Sequence, residues 1–225
     1  MPYMILDQRA ENEIVKNAER LGFKPVPSDY IKGINESVAG HPDMQLVKIG
    51  NDIIVNPESL NHYKKYMPEI NFIAGKTVVQ GKYPHYVAYN VALTSDFAIH
   101  NFKYTDEAVK ERLSGFKLIN VKQGYAKCSV LTLPNGIITS DEGIISRCGE
   151  LDALKIRHGE ITLIGNDYGF IGGASGYHDG KLYFSGNIKK HPDYDEIKKF
   201  CKNKCIEIIC LSNDKLADIG SIIII

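Results

Sequence analysis

The chain repeats one plan at intervals of roughly 45 residues, and this period constrains the fold more than any local pattern does. In each copy, small or polar residues precede an apolar strand, a tight turn and a second apolar strand. A clear copy is GYAKCSVLTLPNGIITS at residues 124–140, and the chain ends in a half copy, LADIGSIIII. The position that precedes the first strand of each copy is occupied by Asp43, Asn90, Cys128, Gly173 and Asp218. These five register positions indicate a fold built from like units.

Helical segments between the hairpins extend each copy to a β-β-α-β unit. The segment TDEAVKERLSG has Thr105 as a candidate N-cap, acidic residues in its first turn and Gly115 at its end. The chain begins with a strand, a helix and a strand, whereas the terminal SIIII is a leading strand with nothing after it. We therefore expect the two ends to complete a fifth unit. The predicted fold is of the α/β class: one domain over residues 1–225, a closed five-unit αβ-propeller without free sheet edges.

The composition limits which binding partners and which cellular compartment we expect for this chain. The 27 Lys and Arg residues balance the 27 Asp and Glu residues, so no basic surface for nucleic acid is expected. The apolar runs are too short to cross a bilayer, and the first residues do not resemble a signal peptide, so no membrane partner is expected. Five cysteines, an odd count, favour reduced thiols in the cytoplasm. The oligomeric state stays open.

Two of the repeats carry side chains suited to covalent catalysis. The copy at residues 40–56, GHPDMQLVKIGNDIIVN, places His41 and Asp43 just before its first strand. The run VKQGYAKCS places Cys128 at the matching position two units later. A thiol attacks as the thiolate, and an imidazole can carry the proton that such a reaction moves. The spacing predicts that these side chains meet at one end of the fold.

Together, the five-unit β-β-α-β plan and the His-x-Asp and Gly-rich Cys motifs resemble the pentein superfamily, whose enzymes modify guanidino groups. Arginine deiminase and agmatine deiminase belong to it. The resemblance implies three catalytic residues: Cys128 as nucleophile, His41 as general acid and base, and Asp218 as the acid that orients the imidazole. It implies a small polar or cationic substrate and no cofactor. No metal is expected either.

Four further residues are candidates for substrate binding: Asp43, Asn90, Lys127 and Asp167. Asp43 would pair with the substrate cation, and Asn90 would line the same channel. Lys127, beside Cys128, could lower the pKa of the thiol. Arginine deiminase has a second carboxylate where this chain has Gly173, and Asp167 is the nearest substitute. This difference argues against free arginine as the substrate.

The order of the units differs from the order in pentein enzymes. Their two other units precede the His-x-Asp unit, whereas here two units follow Cys128. This order is that of a circular permutant, which is inexpensive where the termini are neighbours. The motifs VKQGYAKCS and GFIGGASG also resemble an uncharacterised bacterial family of unknown activity. The resulting hypothesis is a metal-independent Cys-dependent hydrolase, deiminase or amidinotransferase-like enzyme that acts on a guanidine, amidine or related C–N group.

Each candidate residue also has a structural interpretation, which the sequence leaves open. Cys128 could be a core filler, because free cysteine is among the most buried residue types. His41 could be a solvated turn histidine, and Asp43, Asn90 and Asp218 could cap strand entrances. The alternative function is a non-catalytic binding module for the ribosome or another protein. An enzyme needs the thiol and the imidazole at the same end of the channel, whereas a binding module does not.

Overall fold

Five three-stranded sheets make up the protein, whose computed structural model describes residues 1–225. In chain order the strands are β1 (Tyr3–Leu6), β2 (Lys24–Pro27), β3 (Leu46–Ile49), β4 (Asp52–Val55), β5 (Phe72–Ala74), β6 (Ala92–Leu93), β7 (Phe97–His100), β8 (Lys117–Asn120), β9 (Val130–Leu133), β10 (Gly136–Thr139), β11 (Ala153–Lys155), β12 (Ser175–His178), β13 (Lys181–Phe184), β14 (Glu207–Cys210) and β15 (Ile223–Ile224). The helices are α1 (Asn12–Arg20), α2 (Pro42–Gln45), α3 (Leu60–Tyr66), α4 (Glu107–Glu111), α5 (Ala126–Ser129), α6 (Glu142–Ile145) and α7 (Tyr194–Asn203).

Every sheet has the same internal topology. Its middle strand pairs antiparallel with the leading strand and parallel with the trailing strand, as in β3-β4-β5. A helix connects the two parallel strands in each unit. The hairpin turns fall where the sequence predicts them, for example at Ser95 and Asp96 between β6 and β7. The β-β-α-β unit is therefore confirmed.

The two chain ends share one sheet. Its strand order is β15-β1-β2, in which Met4 is paired with Ile224 and Ile5 with Ile223. Strands β1 and β2 are parallel and are joined through α1. The expectation that the first and last segments complete a fifth unit is confirmed.

Apolar side chains continue from one unit into the next. One cluster joins Met4 of β1, Tyr183 of β13 and Ile224 of β15, and another joins Ile99 of β7 to Val130 of β9. Each of the leading strands β6, β9 and β12 contacts the next leading strand along the chain, and β15 is the last of them. Because each leading strand begins near its neighbour's start, the residues just before these strands come close together.

The helix after β7 begins one residue later than the sequence indicates. Asp106, rather than Thr105, is its N-cap, and its carboxylate accepts hydrogen bonds from the backbone N–H groups of Ala108 and Val109. The Thr105 hydroxyl instead lies 2.6 Å from Nδ1 of the buried His100. Both residues are good caps, and the tertiary partner decides between them. None of the seven helices is long and apolar enough to cross a membrane.

Candidate active site

The five register positions lie close together. Asn90 donates from Nδ2 to the carbonyl oxygen of Asp43 over 3.3 Å and to Sγ of Cys128 over 3.4 Å. The backbone N–H of Gly173 donates to the carbonyl oxygen of Cys128 over 2.8 Å. A Cβ on Gly173 would lie 1.9 Å from Oδ1 of Asp218. The Asp218 carboxylate therefore fills the space that a side chain at 173 would need, which explains the glycine there.

Two short helices hold the thiol and its acidic neighbour. Helix α2 places Asp43 one residue after Pro42, whose fixed backbone suits the first position of a helix. Helix α5 carries Cys128, which is 1 % exposed. Sγ of Cys128 donates a hydrogen bond to Oδ2 of Asp43 over 3.1 Å, and the Ser221 hydroxyl donates to the same oxygen over 2.7 Å. The other carboxylate oxygen of Asp43 is buried and has no hydrogen-bond partner.

His41 lies between two carboxylates without a hydrogen bond to either. It is 1 % exposed, so it is not a solvated turn histidine. Its Nδ1 lies 3.8 Å from Oδ1 of Asp218, and its Nε2 lies 4.0 Å from Oδ2 of Asp7. Neither ring nitrogen has a hydrogen-bond partner. Buried polar atoms are nearly always paired, so two unpaired nitrogens on one ring are exceptional.

Backbone N–H groups hold the carboxylate of Asp218 in place. Phe170 and Gly220 each donate to one of its oxygens over 3.0 Å. Burial raises the pKa of this carboxyl to about 6, with His41 acting in the opposite direction. Asp218 therefore titrates within the range in which many enzymes work.

The Cys128 thiol is held in its protonated form. Burial raises its pKa well above the ordinary value, and the charges of Asp43 and Asp218 add to the effect. The hydrogen bond from Asn90 acts in the opposite direction. Two anions around a buried thiol disfavour a third negative charge. A positive charge close to the sulfur would lower this pKa.

Two cavities flank the register positions. One, of about 380 Å³, is lined by Cys128, Asp218 and Asp167, so the exposed Asp167 borders the same space as the thiol. The other, of about 330 Å³, is lined by Asp43 and by Lys127. Burial lowers the pKa of Lys127 against the pull of the nearby acids, Asp43 first. The structure thus gathers the predicted residues at one centre, although Lys127 lines the second cavity and not the one that Cys128 lines.

Three polar residues of the centre were not predicted. Asp7 ends up beside His41 and is paired with Arg9, whose Nε donates to Oδ1 over 2.9 Å. Ser221 is the second donor to Asp43. Asp7 directly follows the apolar strand β1, and this position at the end of a strand is the sequence signal that could have identified it. No sequence signal identifies Ser221, because its backbone φ of 70° and its contact with residue 43 arise only in the folded chain.

The same centre brings together donors that a metal ion could use. One ligand atom each from His41, Asp43 and Cys128 lie within 4.8 Å of one another. A nitrogen, an oxygen and a sulfur ligand suit zinc-type ions. The sequence motifs predict that these three residues meet, but they do not suggest a metal site.

Three solved structures share the fold of this chain, and all three are pentein-fold enzymes. DDAH from Pseudomonas aeruginosa, complexed with citrulline, has a TM-score of 0.53 at 8% identity and covers 93% of this chain and 91% of its own. SxtG, an amidinotransferase of saxitoxin biosynthesis from Microseira wollei, has a TM-score of 0.55 at 13% identity and covers 89% and 76%. Agmatine deiminase from C. jejuni has a TM-score of 0.52 at 10% identity and covers 93% and 87%.

These TM-scores show a common fold, the mixed α/β pentein fold with five small sheets, and at such low identities they show the fold alone. No curated protein matches the chain. One family model matches residues 5–223, nearly the whole sequence. The chain therefore belongs to DUF6873, a family of unknown function.

Proposed function

We propose that this protein is a metal-independent cysteine hydrolase or transferase that acts on a guanidine, amidine or related C–N group. The observation that carries the proposal is a single buried cluster around Sγ of Cys128. In it, both ring nitrogens of His41 and one oxygen of Asp43 have no hydrogen-bond partner. The fold shared with DDAH, an amidinotransferase and agmatine deiminase supports the same chemistry.

Substrate binding activates the nucleophile. A guanidinium or amidinium donates hydrogen bonds to the Asp43 carboxylate, whose Oδ1 is unpaired. The cation offsets the negative charges of Asp43 and Asp218, which raise the pKa of the Cys128 thiol. The thiol then passes its proton to His41, and the thiolate forms beside the electrophilic carbon. This order keeps the sulfur unreactive until a cation is bound.

The thiolate of Cys128 attacks the central carbon and forms a tetrahedral adduct. The C–N bond to the leaving amine breaks as His41 gives that nitrogen a proton, which leaves a carbon–sulfur intermediate. His41 next takes a proton from water, and the resulting hydroxide adds to the carbon. The C–S bond then breaks and returns the sulfur to Cys128. In a transferase an amine takes the place of the water.

The other residues of the centre position these groups. Asp218 stabilises the imidazolium of His41, from which its Oδ1 is 3.8 Å away. Asn90 accepts from the backbone N–H of Lys127 over 2.8 Å, which fixes the turn ahead of Cys128. Asp167 contributes to the substrate site from the cavity rim. The Lys127 ammonium acts on the charge of Asp43 from the second cavity.

We propose further that the five sheets close into a propeller and that the chain is a circular permutant of the guanidino-modifying penteins. The pairing of β1 with β15 supports both points, because it brings the two termini together. The contacts among the five register positions support the closure. Permutation accounts for the presence of Asp218 after Cys128 in the chain.

Labelling with 2-chloroacetamidine, a cationic amidine electrophile, tests the mechanism. We expect Cys128 to react faster than the four other cysteines, as mapped by peptide mass spectrometry. In His41→Ala the rate at Cys128 should fall by about tenfold or more, since loss of a general acid or base costs 10²–10⁴-fold. The exposed His85 offers a matched control, and His85→Ala should leave the rate unchanged. Equal reactivity of Cys128, Cys148, Cys201, Cys205 and Cys210 would contradict the proposal.

A binding module is the second candidate function, and one observation favours it. The Cys128 thiol is protonated and hydrogen-bonded to Asp43, as a structural cysteine would be. A module without catalysis would leave this thiol inert toward the amidine electrophile. The labelling experiment therefore separates the two candidates.

A further inference from the structure

The cavity that reaches Cys128 has no cationic side chain in its lining. It contains two carboxylates, Asp167 and Asp218, and three amides, Asn35, Gln123 and Asn166. Its other residues are aromatic or aliphatic apart from Cys128 itself. A carboxylate on a bound substrate would thus meet no ammonium or guanidinium and would face two negative charges.

Aromatic rings make up much of the wall. The rings of Tyr83 and Tyr125 are 5.1 Å apart, and those of Tyr168 and Phe170 are 5.9 Å apart. All four line the cavity. Aromatic faces attract cations and pack against alkyl chains. The wall therefore suits an alkyl chain that carries a positive charge.

The two carboxylates lie at different depths. Asp218 is buried beside His41, and Asp167 is exposed on the segment between β11 and β12. A guanidinium that pairs with Asp43 beside the thiol would lie next to the inner carboxylate of Asp218, and a second cation would meet the outer carboxylate of Asp167. Lys122 and Arg147 line a neighbouring cavity, which shares Tyr83 and Gln123 with this one.

We infer that the substrate is a guanidine whose far end carries a second positive charge and no carboxylate. The carboxylate of Asp167 binds this second charge. The inference rests on the proposed function and narrows its substrate class. An alkyl chain lies along the aromatic rings, its guanidinium reaches Cys128 and its ammonium lies against Asp167. An α-amino acid such as arginine is disfavoured because its carboxylate enters an acidic cavity.

Calorimetry on the Cys128→Ala variant tests the inference without turnover. The probes are 4-aminobutylguanidine, butylguanidine and arginine, which share the guanidinoalkyl group. We expect the affinity to fall in that order. The amine should bind roughly tenfold more tightly than arginine, because it gains one exposed ion pair and contacts with aromatic rings. Adding Asp167→Asn should reduce the preference for the amine over butylguanidine by about fivefold. Adding Asp195→Asn, a change of an equally exposed carboxylate outside the cavity, should leave the preference intact.

Two results would overturn the inference: arginine binding at least as tightly as the amine, or a preference that Asp167→Asn does not change. Failure of the proposed function looks different. In that case the wild-type protein releases no ammonia or amine from any of the three guanidines, even though the order of affinities holds. Turnover with arginine preferred would keep the proposed function and reject the substrate class.

Discussion

The thiol of Cys128 donates a hydrogen bond to Oδ2 of Asp43 over a distance of 3.1 Å, although the two residues are 85 positions apart in sequence. The bond holds the sulfur as a thiol, because a carboxylate accepts a proton and repels a thiolate. The same carboxylate is the partner that a substrate cation would take. Competition for Asp43 therefore links substrate binding to activation of the nucleophile.

Replacing Asp43 by Asn should lower the pKa of Cys128. The change removes the negative charge that opposes ionisation and leaves the site sterically similar. We expect the pH midpoint of alkylation by iodoacetamide, a neutral reagent, to move down, while turnover of guanidines falls because the cation loses its partner. The exposed Cys205 serves as an internal reference in the same sample. A midpoint that stays or rises would refute the role assigned to Asp43.

The buried carboxyl of Asp218 should make stability depend on pH. Its pKa is about 6 in the folded protein against an ordinary value of 3.8. Between about pH 4 and pH 6 the folded state binds a proton that the unfolded chain has lost, so stability falls as pH rises through this window. The full effect is about 3 kcal/mol at 1.36 kcal/mol per pKa unit.

The measurement compares denaturant unfolding of the wild type and Asp218→Asn from pH 4 to pH 7.5. As pH rises across the window, the free energy of unfolding of the variant should increase by about 3 kcal/mol relative to that of the wild type, whatever the absolute stability of the variant. Titrating groups far from Asp218 cancel in the difference, whereas His41 and Cys128, which interact electrostatically with Asp218, contribute to it. A difference in unfolding free energy that is independent of pH would show that Asp218 titrates normally.

The sequence predicts the repeat well because the repeat is local. Each hairpin needs only two apolar strands and a turn such as that at Asn135 and Gly136, and these patterns lie within about 15 residues. The meeting of Asp43 with Cys128 also follows, since equal positions in like units converge when the units are arranged around one centre. The pairing of β1 with β15 follows from the unpaired half units.

What the sequence does not show depends on contacts between distant parts of the chain. Asp7 lies 4.0 Å from His41 although it belongs to another unit, and Ser221 reaches Asp43 across 178 positions of the sequence. The choice between Thr105 and Asp106 as a cap depends on the buried His100. Which cavity Lys127 lines is likewise a property of the packed structure.

Replacing Gly173 by Ala should disturb the centre. The new Cβ would lie 1.9 Å from Oδ1 of Asp218, so the carboxylate or the backbone must move. We expect a loss of about 1–3 kcal/mol, the usual cost of overpacking, together with lower activity. Gly115→Ala is the matched control, because nothing lies within 4 Å of a Cβ there. Comparable losses in both variants, measured by urea unfolding, would contradict the crowding at residue 173.

Treatment with a chelator should leave turnover unchanged. In the proposed mechanism His41 transfers the protons and the Cys128 sulfur is the nucleophile, and neither step uses a Lewis acid. Dialysis against EDTA followed by an assay of ammonia or amine release checks this. A loss of activity that Zn²⁺ restores would assign the His41, Asp43 and Cys128 cluster to a metal instead.

Replacing Asn90 by Asp should have the effect opposite to that of Asp43→Asn. Asn90 donates to the Cys128 sulfur, and this bond lowers the thiol pKa. A carboxylate at residue 90 removes the donor and adds a negative charge, so the thiol pKa should rise and alkylation at a given pH should slow. Stability should fall by on the order of 3 kcal/mol, because the added charge is buried and the oxygen that replaces Nδ2 would face the carbonyl oxygen of Asp43.

Combining Asp43→Asn with Asn90→Asp separates charge from position. The double variant keeps the net charge around Cys128 and exchanges the donor and the acceptor between its two neighbours. If the electrostatic field alone sets the thiol pKa, the alkylation midpoint should return toward that of the wild type. Turnover of guanidines should stay low, because the carboxylate no longer lies where the substrate cation binds. Recovery of both the midpoint and turnover would show that the position of the carboxylate is unimportant and would reject Asp43 as the group that binds the cation.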